Sequence, residues 1–530
     1  MMMLLGLSLL IAGCGGEGTS DQDAGAPAQK SDNVLVWGRG GDSVGLDPAI
    51  VTDGESAKVT INIFDTLVEY EPDSTAVRPA LATDWSVSED GTVWTFKLRE
   101  GVKFHDGTDF NADAVVYNFE RWMHKDHPLN NGECKYWAYM FNGYDEDSMV
   151  TSVEATGDYE VKITLKEPFA PFIQNLAMFS FGIASPAALE KYGEDFFKNP
   201  VGTGPFKFVE WIPDDKVVLE KNEEYWGEKA KVDKLVFRSI PDNSARFLEL
   251  QAGTIDIMDG VNPDDVAAAK ANENLEVVLR PSMNVGYLAM HMEKEPFDNV
   301  LVRRAINHAI NKEAIIEAFF TGLAKPAKNP MPPSLWGYND DIEPYEYDPA
   351  KAKALLAEAG YPNGFKTTLW AMPVPRPYMP QPQKIAEAIQ ADLAAVGIEA
   401  EIVSYEWGTY LEKAENGEHD MILLGWTGDN GDPDNFLYVL LDKDNAVVGS
   451  SANYAFYKSD EVHDLLIAAQ KEMDQDKRAQ LYKEAQEIIH RDAPWVPLDH
   501  STPPLFMYKY VKGYVPHPTG VEKLNTVSVQ

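Results

Sequence analysis

Met421-Ile422-Leu423-Leu424-Gly425-Trp426-Thr427-Gly428-Asp429-Asn430-Gly431-Asp432 is the stretch that decides the fold class. Four apolar residues run without a polar break into a turn signal, the pattern of a buried strand, here ending at Gly425. The main chain then passes two more glycines around Asp429. Glycine lets another group approach the backbone closely, and Trp426 offers a flat apolar wall. Taken alone, the segment serves equally well as a tight structural turn. Working outward, 384–396 reads as a helix stopped at Gly397, and 399–404 as the strand after it. Residues 350–359 are helical, closed by Gly360 with Pro362 just beyond. Residues 305–318 form another expected helix, and 460–490 a long helical stretch. Toward the N-terminus, 34–37 reads as a strand before a turn at Gly38, Gly40 and Gly41. Residues 93–98 alternate at period two after Gly91, and 113–123 reads as a helix with Asp109 and Asn111 available to cap it. Further strands are expected at 160–165, 217–220, 234–240 and 275–279. Strands and helices interleave throughout, so the class is α/β with mixed sheets. No repeat of 20–50 residues is present.

The chain has 530 residues, which at about 150 per domain predicts two to four domains. With 44% hydrophobic and 25% charged residues it has the composition of a globular protein. Its 46 Lys+Arg against 84 Asp+Glu give a net charge of −38. That field repels nucleic-acid phosphates and anionic headgroups, so neither is an expected partner of the bulk surface. The apolar run at 1–12 is too short to span a bilayer and resembles the apolar region of a secretory signal. It leads into Ile11-Ala12-Gly13-Cys14, which resembles a bacterial lipobox and implies cleavage before Cys14 and acylation of its sulfur. No Lys or Arg precedes the run, so the basic start of a signal is missing. Residues 14–33 then read as the lipidated cysteine and a flexible tether rich in Gly, Ser, Asp and Ala. No other run of about 20 apolar residues exists. Cys134 has no motif around it and is expected to be packed.

Motifs for catalysis are missing. There is no G-x-x-x-x-G-K-[ST], no G-x-S-x-G and no H-E-x-x-H, and Gly202-Thr203-Gly204-Pro205 lacks the third glycine of a dinucleotide fingerprint. His124 and His127 lie in a polar segment and read as surface histidines. Asp429, Asp432 and Asp434 crowd one loop but lack the glycine and terminal Glu of an EF-hand. No metal, no cofactor and no enzyme activity are therefore expected. A second notable segment is Leu369-Trp370-Ala371-Met372-Pro373-Val374-Pro375-Arg376-Pro377-Tyr378. Its three prolines in five residues predict an extended, rigid backbone presenting Arg376 with reduced freedom. A guanidinium so held suits a bidentate carboxylate; a surface Arg in a Pro-rich loop fits the same spacing.

From about Val34 to the C-terminus the chain resembles the bacterial solute-binding proteins of peptide ABC transporters (the peptide/nickel-binding family), and among them the dipeptide-binding members. The generic stretches are Leu81-Ala82-Thr83-Asp84-Trp85-Ser86-Val87-Ser88-Glu89-Asp90-Gly91, Gly101-Val102-Lys103-Phe104-His105-Asp106-Gly107 and Gly202-Thr203-Gly204-Pro205-Phe206. The more specific ones are Trp370 to Tyr378 and Gly425 to Phe436. The resemblance implies a two-lobed periplasmic-binding-protein fold of class II type with an extra subdomain, and ligand in the cleft between lobes. Lobe I would comprise 34–281 plus 500–530 and lobe II 282–499. It implies that Asp429 takes a peptide's ammonium and Arg376 its carboxylate, with Thr52 lining the site from lobe I. Pro377, Tyr378, Trp426, Thr427 and Gly428 complete the implied ligand-binding set, with Trp407 a further wall. Cys134 does not reproduce the family's disulfide pairs, and the lipobox replaces a soluble protein's signal. Expected partners are a dipeptide or short peptide, permease and ATPase subunits, and the membrane through lipid on Cys14. The expected form is an extracytoplasmic, lipid-anchored monomer. A longer oligopeptide, glutathione, haem or a nickel chelate stays open as ligand, and an envelope peptidase as a remote alternative.

Overall fold

The computed structural model describes residues 33–130 and 132–530. The expected signal peptide, Cys14 and most of the tether lie outside the described residues. Two large mixed sheets organise the chain. The first has seven strands, in the order Leu275–Leu279, Pro504–Tyr508, Ile257–Met258, Val34–Arg39, Lys234–Ser239, Lys216–Lys221 and Phe206–Ile212. Its central strand Val34–Arg39 runs parallel to both neighbours, and the outer pairs are antiparallel. The second has six strands, in the order Ala324–Pro326, Trp495–Ser501, Asn284–Met290, Met421–Thr427, Lys366–Trp370 and Glu399–Val403. Every residue of Asn284–Met290 is buried, as expected of a strand covered on both faces. A four-stranded antiparallel sheet, Ala82–Val87, Val93–Leu98, Glu160–Leu165 and Val150–Gly157, forms a separate small unit. Its core is aromatic: Trp94, Phe96, Trp122, Trp137 and Phe181 are all buried. Burying such a ring stabilises the unit by roughly 1.5–3 kcal/mol each.

The chain passes between the two large sheets at 280–283 and again at 502–503. These connectors lie side by side. The Arg280 N–H donates to the Pro503 carbonyl at 2.9 Å, and Asn284 and Ser501 exchange hydrogen bonds of 3.0 and 2.9 Å. Arg280 is also ion-paired with Glu522 at 2.7 Å.

Period-two and terminal signals translate directly. Strands Val93–Leu98, Glu160–Leu165 and Leu275–Leu279 stand where the pattern puts them. Asn111, not Asp109, caps Ala112–Met123 by accepting from the Ala114 N–H at 3.0 Å. Two expected helices are broken. Residues 305–318 fall into Val300–Ala309 and Lys312–Phe320, because the Asn311 side chain accepts from the Ala314 N–H and starts a new helix. The stretch 460–490 splits into Asp460–Lys471 and Gln475–Asp492, where Asp474 accepts from the N–H groups of Asp476 and Lys477. In both places a short polar side chain offers the backbone an alternative to continuing the helix. The strand expected to end at Gly425 continues to Thr427, paired with Asn284. Cys134 is a buried free thiol whose pKa burial pushes up to about 12. Among the described residues no helix is long and apolar enough to cross a membrane.

Candidate functional site

The site is built on the second sheet, where Gly286 stands opposite Gly425. Two facing glycines leave a depression on the sheet, and Tyr378 fills it. A Cβ on Gly425 would stand 2.2 Å from Tyr378 Cδ2, and one on Gly286 would stand 2.7 Å from the Tyr378 carbonyl oxygen. Tyr378 is buried, and burial pushes its phenol up to about 12. It belongs to a tight turn. The Arg376 N–H donates to the Met379 carbonyl at 3.1 Å and the Met379 N–H returns to Arg376 at 2.9 Å. The Pro-rich segment is thus turned here rather than extended, because Pro377 supplies the fixed φ that the second position of such a turn favours. Arg376 is half-buried, with its guanidinium 4.9 Å from the centroid of the Trp407 ring. Its one other bond is Nη1 to the Pro375 carbonyl at 3.2 Å. Among the described residues no carboxylate pairs with it. Pro377 is exposed at the tip of the turn.

Trp426 and Thr427 are half-buried and close the strand. The Gly428 N–H donates to the Met283 carbonyl at 2.9 Å, and a Cβ there would meet the Phe436 ring at 2.7 Å. Asn435 organises the loop around Asp429. Its Oδ1 accepts from the Trp426 indole N–H at 2.9 Å and from the Asp429 N–H at 3.0 Å, while its Nδ2 donates to Asp429 Oδ2 at 3.2 Å. Asp429 Oδ1 accepts from the Tyr136 hydroxyl at 3.0 Å. Burial pushes the Asp429 carboxyl up to about 6, although both hydrogen bonds favour its ionised form.

Tyr136 belongs to helix Lys135–Met140 of the small aromatic unit, so this bond joins two separate cores. Other contacts run along the same seam. Asn430 donates to Asn175 Oδ1 at 2.9 Å, a Cβ on Gly431 would stand 1.9 Å from Thr75 Oγ1, and the Ala170 N–H donates to the Gln470 carbonyl. Beneath the loop, Asp432 is paired with Arg478 at 2.8 Å, both buried, and Asp434 accepts from Gln470. The three aspartates of the loop therefore have three separate sets of partners and do not converge on one point. His124 and His127 likewise do not share a ligand position: His124 bonds to Glu120 and Asp145, and His127 accepts from the Leu129 N–H. Thr52 is exposed, one residue before Asp53, whose charge acts on the Tyr136 hydroxyl. A narrow crevice lies between the same two parts. It is lined by Asn175, Asn430 and Asn435 among others, and includes neither Arg376 nor Trp426.

Tyr378 over Gly425 ties the Arg376 turn to the strand that leads into Asp429. Sequence reasoning missed Tyr136 and Asn435. Asn435 lies in the Gly425–Phe436 stretch but shows no role there without its partners, and nothing local marks Tyr136.

Two large mixed sheets, paired connectors and polar loops meeting across a cleft define a two-lobed periplasmic binding protein. The chain belongs to the bacterial extracellular solute-binding proteins, family 5, whose family model matches residues 76–447. It is 42% identical over 509 residues to the dipeptide-binding protein of Escherichia coli K12, covering 94% of this chain and 95% of that one. Heme-binding protein A of Haemophilus influenzae is 40% identical over 542 residues, covering 100% and 98%. Among solved structures, the periplasmic binding protein DppA from Helicobacter pylori in complex with the peptide STSA superposes with a TM-score of 0.84 at 44% identity. It covers 94% of this chain and 98% of that one. The family is one of binding proteins, in keeping with the missing catalytic motifs.

Proposed function

We propose that this protein captures short peptides, dipeptides foremost, outside the cytoplasm and hands them to the permease and ATPase subunits of an ABC transporter. The observation that carries this reading is a pair of opposite charges on the turn and the loop that follow two strands of one sheet, each short of a counter-ion: Asp429, with a carboxyl raised to about 6, and Arg376, with no carboxylate partner among the described residues. A zwitterion supplies both missing charges. Its two ends must leave water together, and each needs a partner in the closed cleft. Thr52, Pro377, Tyr378, Trp426, Thr427 and Gly428 are read as the remaining contacts, Trp426 and Tyr378 as walls of partly hydrated side-chain pockets. The lobes are read as 34–281 with 500–530, and 282–499. The paired connectors at 280–283 and 502–503 support a hinge close to these bounds, with 500 and 501 still paired in the second sheet, and a ligand touching both lobes favours closure by its differential affinity.

The dipeptide-binding and peptide-complexed relatives support this ligand class; the haem-binding relative supplies a second reading. Calorimetric titration with di-, tri- and tetrapeptides and with haem separates them. Arg376→Ala is expected to weaken dipeptides by about 2–5 kcal/mol and longer peptides less, since the removed partner strands a buried carboxylate. Equal losses for all lengths would refute Arg376 as the carboxylate partner. Cys14 is read as the lipid anchor after loss of 1–13, with two or more acyl chains making it stable; Cys14→Ala should release the monomeric protein from membranes. No free amino acids should appear when peptide is incubated with the protein.

A further inference from the structure

Asp499 is a carboxyl that the proposed site does not use. It lies in strand Trp495–Ser501, paired with Gly286 on one side and Pro326 on the other, and is 1% exposed. Its Oδ1 is buried without a hydrogen-bond partner. Its Oδ2 leans over Gly286, where a Cβ would stand 2.3 Å from it. The same hypothetical atom would stand 2.7 Å from the carbonyl oxygen of Tyr378. Both oxygen acceptors thus crowd the space over Gly286, and among the described residues neither has a donor. The ionisable groups facing them are Arg376 and Tyr378 on the turn, while Tyr287, Lys325 and His500, each one residue along its strand, turn to the opposite face. His500 is held by the Asn284 carbonyl, and no bond joins any of the others to Asp499. Two facing acceptors repel unless a proton lies between them, and a buried acceptor left unpaired is costly.

We infer that Asp499 is a positioning residue: as a neutral carboxylic acid it donates its O–H to the Tyr378 carbonyl, pinning the Arg376–Met379 turn to the sheet. Burial acts in the same direction, holding this carboxyl well above the ordinary carboxylate range. The inference rests on the peptide reading for its consequence, because the turn carries Arg376, which would meet the ligand carboxylate. The pin itself does not depend on that reading.

Three readouts test it on the full chain. The infrared difference spectrum of wild type minus Asp499→Asn should contain the carbonyl band of a protonated carboxylic acid; its absence would overturn the assignment. Amide exchange at Met379 and Arg376 should be at least about tenfold faster in Asp499→Leu, which has no donor, and unchanged in Asp499→Asn, whose amide N–H replaces the acid proton. Equal acceleration in both variants would reduce Asp499 to a packing role and overturn the proposal. Should Asp499→Leu fail to fold, the infrared band and the exchange of Asp499→Asn against wild type decide alone. Dipeptide titration closes the series, with Asp499→Asn within about twofold of wild type and Asp499→Leu about tenfold weaker, close to 1.4 kcal/mol. If wild type binds no dipeptide, the functional reading fails while the first two readouts still judge the pin.

Discussion

The hydroxyl of Tyr136 donates to Asp429 Oδ1 at 3.0 Å, across a sequence separation of 293 residues. It closes one core onto another at the carboxyl that a peptide's ammonium would reach. Tyr136→Phe keeps the ring and deletes this bond, worth about 0.5–1.5 kcal/mol. Dipeptide binding should weaken by roughly twofold to tenfold, because the closed arrangement loses a contact. Tighter binding in calorimetry would show instead that the hydroxyl competes with the ligand.

The Asp429 carboxyl, raised by burial to about 6, gives a pH dependence with a definite sign. If its ionised form takes the ammonium, as proposed, affinity for dipeptides should be full above pH 6 and decline below it. Without ligand the sign reverses. A raised folded pKa contributes stability at pH values below the ordinary carboxylate range, and that contribution is lost as pH rises through 6. Ligand-free melting temperature should therefore fall slightly between pH 5 and 7, unless Asp429→Asn has removed the titrating group. An Asn variant with wild-type pH profiles would disprove the assignment.

Gly425→Ala drives a methyl group into the Tyr378 ring, 2.2 Å from Cδ2. Overpacking of this kind costs about 1–3 kcal/mol, and here it also lifts the turn that carries Arg376. Thermal denaturation and dipeptide titration should both register the change. Tyr378→Ala in the same chain should restore stability more than affinity.

Arg478→Met leaves Asp432 buried without its ion partner. Breaking a buried pair from one side costs about 3–5 kcal/mol. The loop from Asn430 to Asn435 rests on this pair, so ligand affinity should fall along with the unfolding free energy in urea. An unchanged urea midpoint would mean that Asp432 accepts its charge without Arg478.

Much of the scaffold was legible in the residues themselves. Strands such as Val93–Leu98 and Glu160–Leu165 are recognisable because alternation is set by neighbours two positions apart. Helix ends at Asn111 and Gly360 were readable for the same local reason. The breaks at Asn311 and Asp474 were not, since both residues are also tolerated inside a helix and only the competition between side chain and backbone selects the cap.

The segments carrying Arg376, Trp426 and Asp429 stood out from composition and spacing alone, and the resemblance to peptide-binding proteins attached charges and roles to them. Their mutual arrangement had no local source. The Pro377 turn forms where Tyr378 finds the space over Gly286 and Gly425, two glycines from strands 139 positions apart in the chain. Tyr136, Asn175 and Thr75 reach the Asp429 loop from another core altogether. Local sequence dictates which residues point to one side of a strand or helix. Which strand lies beside which, and hence which carboxyl loses its water, is decided only when distant segments pay their loop-closure entropy and pack.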